Sequence, residues 1–243
     1  MLEVGLGGMT DEEVSNVNRG CLIETILTPI QYKAHFSMWA ALKSPLLLGN
    51  DLRKMSPETL SIINNPAIIA LSQDPRGKAI QRVTTNTNVS KDEFGIGEAH
   101  VWSGPLANGD QVVILFNAAN EDLNMSASLA DIFVMDGPGG SAPQVEQTWA
   151  VHDLWGHRMS EAAAKSVLKQ ASGKIEGSYN ATEIPYAQGL ANEDPRLFGE
   201  KIGEVKARGQ VKAHVPRHAA KVFRLRSVDG KDKARKSLVR EEL

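Results

Sequence analysis

The chain has 243 residues, 42% of them hydrophobic, and a formal net charge of -2, which suits one large domain or two small ones. Charges this nearly balanced give no electrostatic footprint for nucleic acid or an acidic membrane surface, and no apolar run approaches the roughly 18–20 residues of a membrane span. The single cysteine, Cys21, excludes an internal disulfide, and the opening MLEVGLGGMTDEE lacks the basic region and apolar core of a signal peptide.

Thr10-Asp-Glu-Glu13 is a capping box: Thr10 accepts from the Glu13 amide, and the Glu13 carboxylate reaches back. A helix started this way should run straight into an apolar-periodic segment. Instead comes Val14 to Gln31, VSNVNRGCLIETILTPIQ, with Asn-Arg-Gly and Thr-Pro breakers. Only then does YKAHFSMWAALK place Tyr32, Phe36, Trp39 and Leu42 or Lys43 on one helical face. Joining Glu13 to Tyr32 would give one continuous capped helix. Val-Ser is what a splice-donor GTAAGT encodes, the terminal Gln is what an acceptor CAG encodes, and Leu27-Thr28 fits a CTGAC branch point. The segment is in frame and near the length of a short intron. It reads as a retained, translated intron, the alternative being a surface loop that splits a helix at its first turn.

Leu46-Leu47-Leu48-Gly49, ending in Asn50-Asp51, resembles the C-terminal end of a buried parallel strand. Ser56-Pro57 and Asn65-Pro66 each set a cap residue before a proline at the first helical position. They predict short helices over 57–63 and 66–71. Helix, strand, helix is the order of an α/β barrel, whose sites lie where strands end, but so few elements cannot close one and should leave apolar faces exposed.

From about Lys78 the pattern becomes β. The stretches 100–106 and 111–118 flank Asn108-Gly109, a hairpin signal. Further strands are expected at 123–129, 147–154, 209–215 and 221–226, with a Gly/Pro-rich turn at 137–140. The expectation is an antiparallel β-sandwich over 78–227, large enough for its own core. Residues 228–243 form a mixed-charge tail, expected to be disordered.

The strings MLEVGLGGMT, KSPLLLGNDLR and IIALSQDPRG, in this order, resemble the late part of the α-galactosidases (melibiases) of glycoside hydrolase family 27, especially fungal ones. VPRHAAKVFRLR resembles the closing segment of that family's β domain. The family runs continuously where Glu13 and Tyr32 are separated here. The resemblance covers about 1–13 and 32–226. It implies α/β plus all-β architecture, with residues 1–77 the last strand and helices of an incomplete (β/α)8 barrel (14–31 the intron-like insertion) followed by the sandwich. The implied activity is release of terminal α-linked galactose with retention, without cofactor or metal. It also implies a chain that begins after the catalytic carboxylates.

Retaining glycosidases need two carboxyl groups about 5–5.5 Å apart. In the resembled family these are aspartates of a Lys-x-Asp and an Arg-x-x-x-Asp segment, and neither has a counterpart in this sequence. No residue is therefore assigned as catalytic, and only Met1 matches a substrate-pocket position. Asp51, at a strand end, is the tempting substitute, but Asn50-Asp51 reads as turn chemistry opening the next helix. Gly5-Leu6-Gly7-Gly8 lacks the flanks of a nucleotide fingerprint, and Leu6 departs from the family's asparagine. His152 and His157 near Asp153, and His214 and His218 around Pro216, lack a ligand cluster in register, so no metal is expected. Trp102, Trp149 and Trp155 could stack on sugars, though packing is the commoner role. Sequons at Asn88, Asn124 and Asn180 suit the secretion implied by the family. The expected partner is an α-galactoside of the full-length parent, the oligomeric state being open. The alternative is a β-sandwich acting as a carbohydrate-binding or structural module.

Overall fold

The computed structural model describes residues 29–92, 95, 97–133, 142–169 and 179–228. Met1, the 5–8 and 10–13 motifs, Cys21, most of the inserted segment, the 137–140 turn and the tail from 229 lie outside the described residues.

Helix α1 spans Pro29–Ala41. The periodicity predicted a start at Tyr32, but the helix begins three residues earlier, inside the inserted segment. Pro29, read as part of a breaker, sits in the first turn, where its missing N–H costs nothing. The predicted stripe is also corrected. Leu42 is exposed, and the buried side is Ala34, Phe36, Ser37, Ala40 and Ala41, with Tyr32 and Trp39 only partly covered. Small residues let the helix approach its neighbours closely.

Helices α2 (Pro57–Ile63) and α3 (Pro66–Ser72) start where the caps predicted. Ser56 Oγ accepts from the Thr59 amide at 3.0 Å. Asn65 Oδ1 accepts from the Ala67 and Ile68 amides at 3.0 and 3.3 Å, while its Nδ2 donates to the Leu154 carbonyl at 3.1 Å. Asn65 thus caps a helix and fastens it to the β region. Between α1 and α2, the leucine run is not a buried strand. Leu48 makes an isolated β-bridge, and Leu47 and Leu48 are exposed, because the described residues include no flanking strands to cover them.

The β region contains β1 (Gln81–Asn86), β2 (Ala99–Pro105), β3 (Gln111–Asn117), β4 (Leu123–Ser128), β5 (Trp149–Asp153), β6 (Glu200–Val205), β7 (Gln210–Val215) and β8 (Ala220–Ser227). A six-stranded antiparallel sheet runs β1-β2-β3-β8-β5-β6, and β4 and β7 form a second, two-stranded sheet. Asn108 (φ 59°) and Gly109 (φ 76°) turn the β2–β3 hairpin, as their residue types predicted. Helix α4 (Leu129–Ile132) follows β4 with a Ser128–Asp131 capping box, and α5 (Glu161–Lys169), α6 (Tyr186–Ala191) and α7 (Pro195–Phe198) fall between β5 and β6. Gly199 joins α7 to β6 at φ 81°, and a Cβ there would lie 2.3 Å from the Asp153 carbonyl oxygen.

The large sheet is covered on both faces. Val113, Leu115, Phe223, Leu225, Trp149 and Val151 face the small sheet and form the sandwich core. Val112, Ile114 and Val222 point the other way, into a core shared with Phe36, Ala40, Ile62, Ile68 and Leu71 of the helices. Two-sided burial explains why β3 reads as the unbroken run VVILF. The edge strands β1 and β6 went unpredicted because they are mostly exposed and polar.

A buried ion cluster joins these parts. Asp110, just past the hairpin turn, accepts from Arg224 Nη1 at 3.0 Å and from Arg226 Nε and Nη2 at 2.8 and 2.7 Å. The Asp110 and Arg224 side chains are each 1% exposed. Arg226 also bridges to Glu193 at 3.0 Å. The Phe198 ring lies 5.1 Å from the Arg224 guanidinium and 4.1 Å from that of Arg226. Burial pulls the Arg224 pKa down, and the Asp110 charge opposes it. Removing the carboxylate with Asp110→Ala would strand the buried Arg224 guanidinium and leave Arg226 with Glu193 alone, a loss of about 3–5 kcal/mol. Urea unfolding followed by circular dichroism measures this, and a loss under about 1 kcal/mol would show the pair to be solvent-compensated.

Candidate functional site

Of the residues singled out in the sequence, His152 and His157 meet in one cleft, and His214 meets Asn124. Asp51 is exposed and caps the 3-10 turn Leu52–Lys54. Its Oδ1 accepts from the Arg53 amide (3.0 Å) and Nε (2.9 Å), and Oδ2 from Nη2 (3.0 Å). Those hydrogen bonds hold its carboxyl below the usual carboxylate range, which suits a turn anchor and not a proton donor.

The tryptophans are packing residues. Trp149 is buried, donates from Nε1 to the Gln144 carbonyl at 2.9 Å and stacks on Phe133 with centroids 4.7 Å apart. Trp155 Nε1 donates to Ser37 Oγ at 3.1 Å, pinning α1 to the loop after β5. Trp102 packs on the helix-side core, with Arg82 6.0 Å from its ring. Trp149 is fully covered, whereas Trp102 and Trp155 are half-buried.

His214 is exposed, with Nδ1 3.3 Å from Asn124 Oδ1 and Nε2 3.6 Å from Asp122 Oδ2. His218 occupies a turn at φ 56°. Among the described residues no group of three or more His, Cys, Asp or Glu side chains is placed to hold a metal ion. All three sequon asparagines are exposed. Asn88 follows strand β1, Asn124 lies on β4, and Asn180 Oδ1 accepts from the Thr182 amide at 3.1 Å and from its hydroxyl.

The structure does gather one group that sequence reasoning missed. Ala150, His152, Phe198, Lys201, Glu204 and Arg226 line a cleft of about 380 Å³ over the β6 edge of the large sheet. His157 reaches the same cleft, whereas Asp153 turns away to accept from the Trp155 amide at 2.9 Å. His152 pairs across the sheet with Lys201 on one side and Arg224 on the other, and its ring meets Phe198 edge-on at 5.2 Å. Burial lowers the His152 pKa. A backbone hydrogen bond to Gly199 opposes that shift, and Lys201, Arg224 and Arg226 add to it. Two carboxylates line the cleft, Glu204 and Glu193, and each is held in an ion pair, with Lys201 and Arg226 respectively. The cross-strand partners of His152 lie far away in sequence, so no local motif announced this arrangement.

Two family profiles match the chain: "Alpha galactosidase A" over residues 21–74 and "Alpha galactosidase C-terminal beta sandwich domain" over 96–178. The α-galactosidase of Zygotorulaspora mrakii is 42% identical over 226 residues, 93% of this chain and 44% of that protein. The chain belongs to the melibiase family of α-galactosidases. Other melibiases agree. The Lachancea cidri α-galactosidase is 39% identical over the same share of this chain. The Saccharomyces cerevisiae enzyme solved with raffinose superposes with a TM-score of 0.78 at 36% identity, covering 93% of this chain and 46% of that one. α-Galactosidase I from Mortierella vinacea gives 0.54 at 26% identity. The expected architecture, final barrel elements followed by a β-sandwich, is thus shown, and the chain spans less than half the length of the melibiases it matches. No described helix is long and apolar enough to cross a membrane.

The depressed His152 pKa makes stability pH-dependent in a fixed direction. The unfolded chain takes up the proton first, so the contribution is full above the ordinary imidazole value near 6.5 and is lost as pH falls through it toward the folded value. One proton limits the slope to about 1.4 kcal/mol per pH unit. Urea midpoints for the wild type should fall between pH 7.5 and pH 5, and His152→Gln should flatten that fall; identical profiles would remove His152 as the cause.

Proposed function

We propose that this chain supplies the closing barrel elements and the β-sandwich of a secreted α-galactosidase that releases terminal α-linked galactose with retention, and that the chain by itself does not hydrolyse. The observation that carries the reading is 42% identity to an α-galactosidase over 93% of the chain. The proposed division is a barrel portion over 1–77, with 14–31 inserted, a β-sandwich over 78–227, and a tail from 228. Helices α1–α3 share a core with the large sheet, so the two portions act as one body where they meet.

The inactivity follows from chemistry. Double displacement needs a nucleophile and an acid/base carboxyl close together. The sequence has no Lys-x-Asp or Arg-x-x-x-Asp segment of the family type, and Asp51 is committed to Arg53. The exposure of Asn88, Asn124 and Asn180 supports glycosylation on a secretory route. Met1, matched by resemblance to a substrate-pocket position, would act only within a complete barrel.

Purified chain should give no saturable turnover of an aryl α-galactoside, and its tryptophan fluorescence should stay flat under galactoside titration. Turnover that saturates and survives repurification would overturn the reading. Saturable fluorescence change without turnover would instead favour a carbohydrate-binding module.

A further inference from the structure

Strands β4 and β7 present one polar face to solvent. Asn124 and Ser126 lie two residues apart on β4 and so share a face, and their cross-strand partners on β7 are His214 and Lys212. All four are exposed, as is Gln210 at the start of β7. The apolar side chains that alternate with them, Met125, Ala127, Val211 and Ala213, pack the other way, against the sandwich core. The five polar residues, with Met125 and Ala213, line an open groove of about 460 Å³.

The Asn124 amide is held in one orientation on this face. His214 Nδ1 lies 3.3 Å from Asn124 Oδ1. An amide oxygen only accepts, so the ring nitrogen carries the proton and donates it. That leaves Nδ2, the atom to which an N-linked sugar is joined, turned away from the histidine, and no described residue bonds to it. The other two sequons are placed differently. Asn88 follows the end of β1 and Asn180 opens a turn, so neither stands on a sheet face.

We infer that Asn124 carries an N-linked glycan whose first sugar lies along the β4–β7 face, against Lys212 and His214. The donor is an oligosaccharide on a polyprenyl diphosphate. A bond forms between Asn124 Nδ2 and C1 of the sugar, and the bond from C1 to the diphosphate oxygen breaks. The diphosphate leaves with the electron pair, and the amide gives up one proton. The face suits the product. A sugar hydroxyl both donates and accepts; Lys212 donates, and the Ser126 hydroxyl and Gln210 amide do both. A face of polar side chains offers a protein partner little apolar area to bury, whereas a hydrated sugar needs none. The inference rests on the secretory reading and names the modified residue and the surface that receives the sugar.

The test uses the full chain, expressed in a yeast behind a secretion leader and taken from the medium or, if retained, from the secretory membranes. Peptide mass spectrometry after trimming each glycan to one sugar reads every sequon. Asn124 should be occupied in most molecules, and Asn124→Gln should lose one glycan with an unchanged circular dichroism spectrum. Hydrogen exchange at 123–128 and 210–215 should be severalfold slower in the glycosylated chain than in the same chain freed of glycan by an amidase after folding. Lys212→Ala/His214→Ala should remove that difference and leave occupancy intact. The amidase comparison involves no substitution, so it decides the matter even if a variant misfolds. An unmodified Asn124 beside a modified Asn88 or Asn180 overturns the site and leaves the secretory reading standing; three unmodified sequons overturn both. An occupied Asn124 with unchanged exchange, or with exchange indifferent to Lys212 and His214, overturns the placement of the sugar on the sheet.

Discussion

A carboxylate taken out of water at the mouth of the β2–β3 hairpin organises this molecule. Asp110 meets two arginines of the last strand, 114 and 116 residues away. Burying three charges is expensive, and their mutual attraction offsets that cost only when the geometry satisfies the hydrogen-bonding groups. Here it does so incompletely, for Arg224 Nε and Nη2 have no hydrogen-bond partner among the described residues, and the guanidinium lies beside the Phe198 ring. The cluster is therefore better understood as a device for register than as a source of stability. Leu225 must pair with Gln111 and Arg224 with Val112; a slip by one residue would turn both guanidinium groups into the sandwich core.

That register also sets how the outer sheet face is covered. With Val222 toward α1 and the arginines toward α7, each part of β8 finds a different roof: small residues of α1 over the aliphatic half, Phe198 over the charged half. The short helices α6 and α7 gain their place through Leu190, Leu197 and Phe198, which pack with Ala70 of α3. Asp74 closes the arrangement, accepting from the Ala107 amide at 3.1 Å and tying the chain after α3 to the hairpin turn. The family's β domain and the helical elements that precede it are thus interlocked through one sheet and not joined by a linker.

The same interlock explains how the helical elements bury their inner sides. The helices satisfy theirs against the sheet, and Leu46 does the same for the leucine segment between α1 and α2. The cleft around His152 is lined by ion-paired side chains, Glu204 with Lys201 and Glu193 with Arg226.

Local chemistry was enough for the elements whose stabilising groups are neighbours in sequence. Ser56-Pro57 and Asn65-Pro66 determined two helix starts to the residue, Asn108-Gly109 determined the hairpin, and the strings around Leu46–Arg53 and Ile68–Gly77 determined the family. The sequence also carries no Lys-x-Asp or Arg-x-x-x-Asp segment, a pattern that needs no geometry to read. The tertiary structure decided the rest. Strands β1 and β6 are edges whose pairing partners, not their composition, make them strands. Helix α1 starts at Pro29 because a first turn tolerates proline, which the breaker reading overlooked. Trp149 became a core residue once the two sheets enclosed it, while Trp102 and Trp155 pack half-buried against the helix-side core. The Asp110–Arg224–Arg226 cluster and the cleft at His152 join residues remote in the chain, and only the strand order, by fixing which side chains face one another, brings them together.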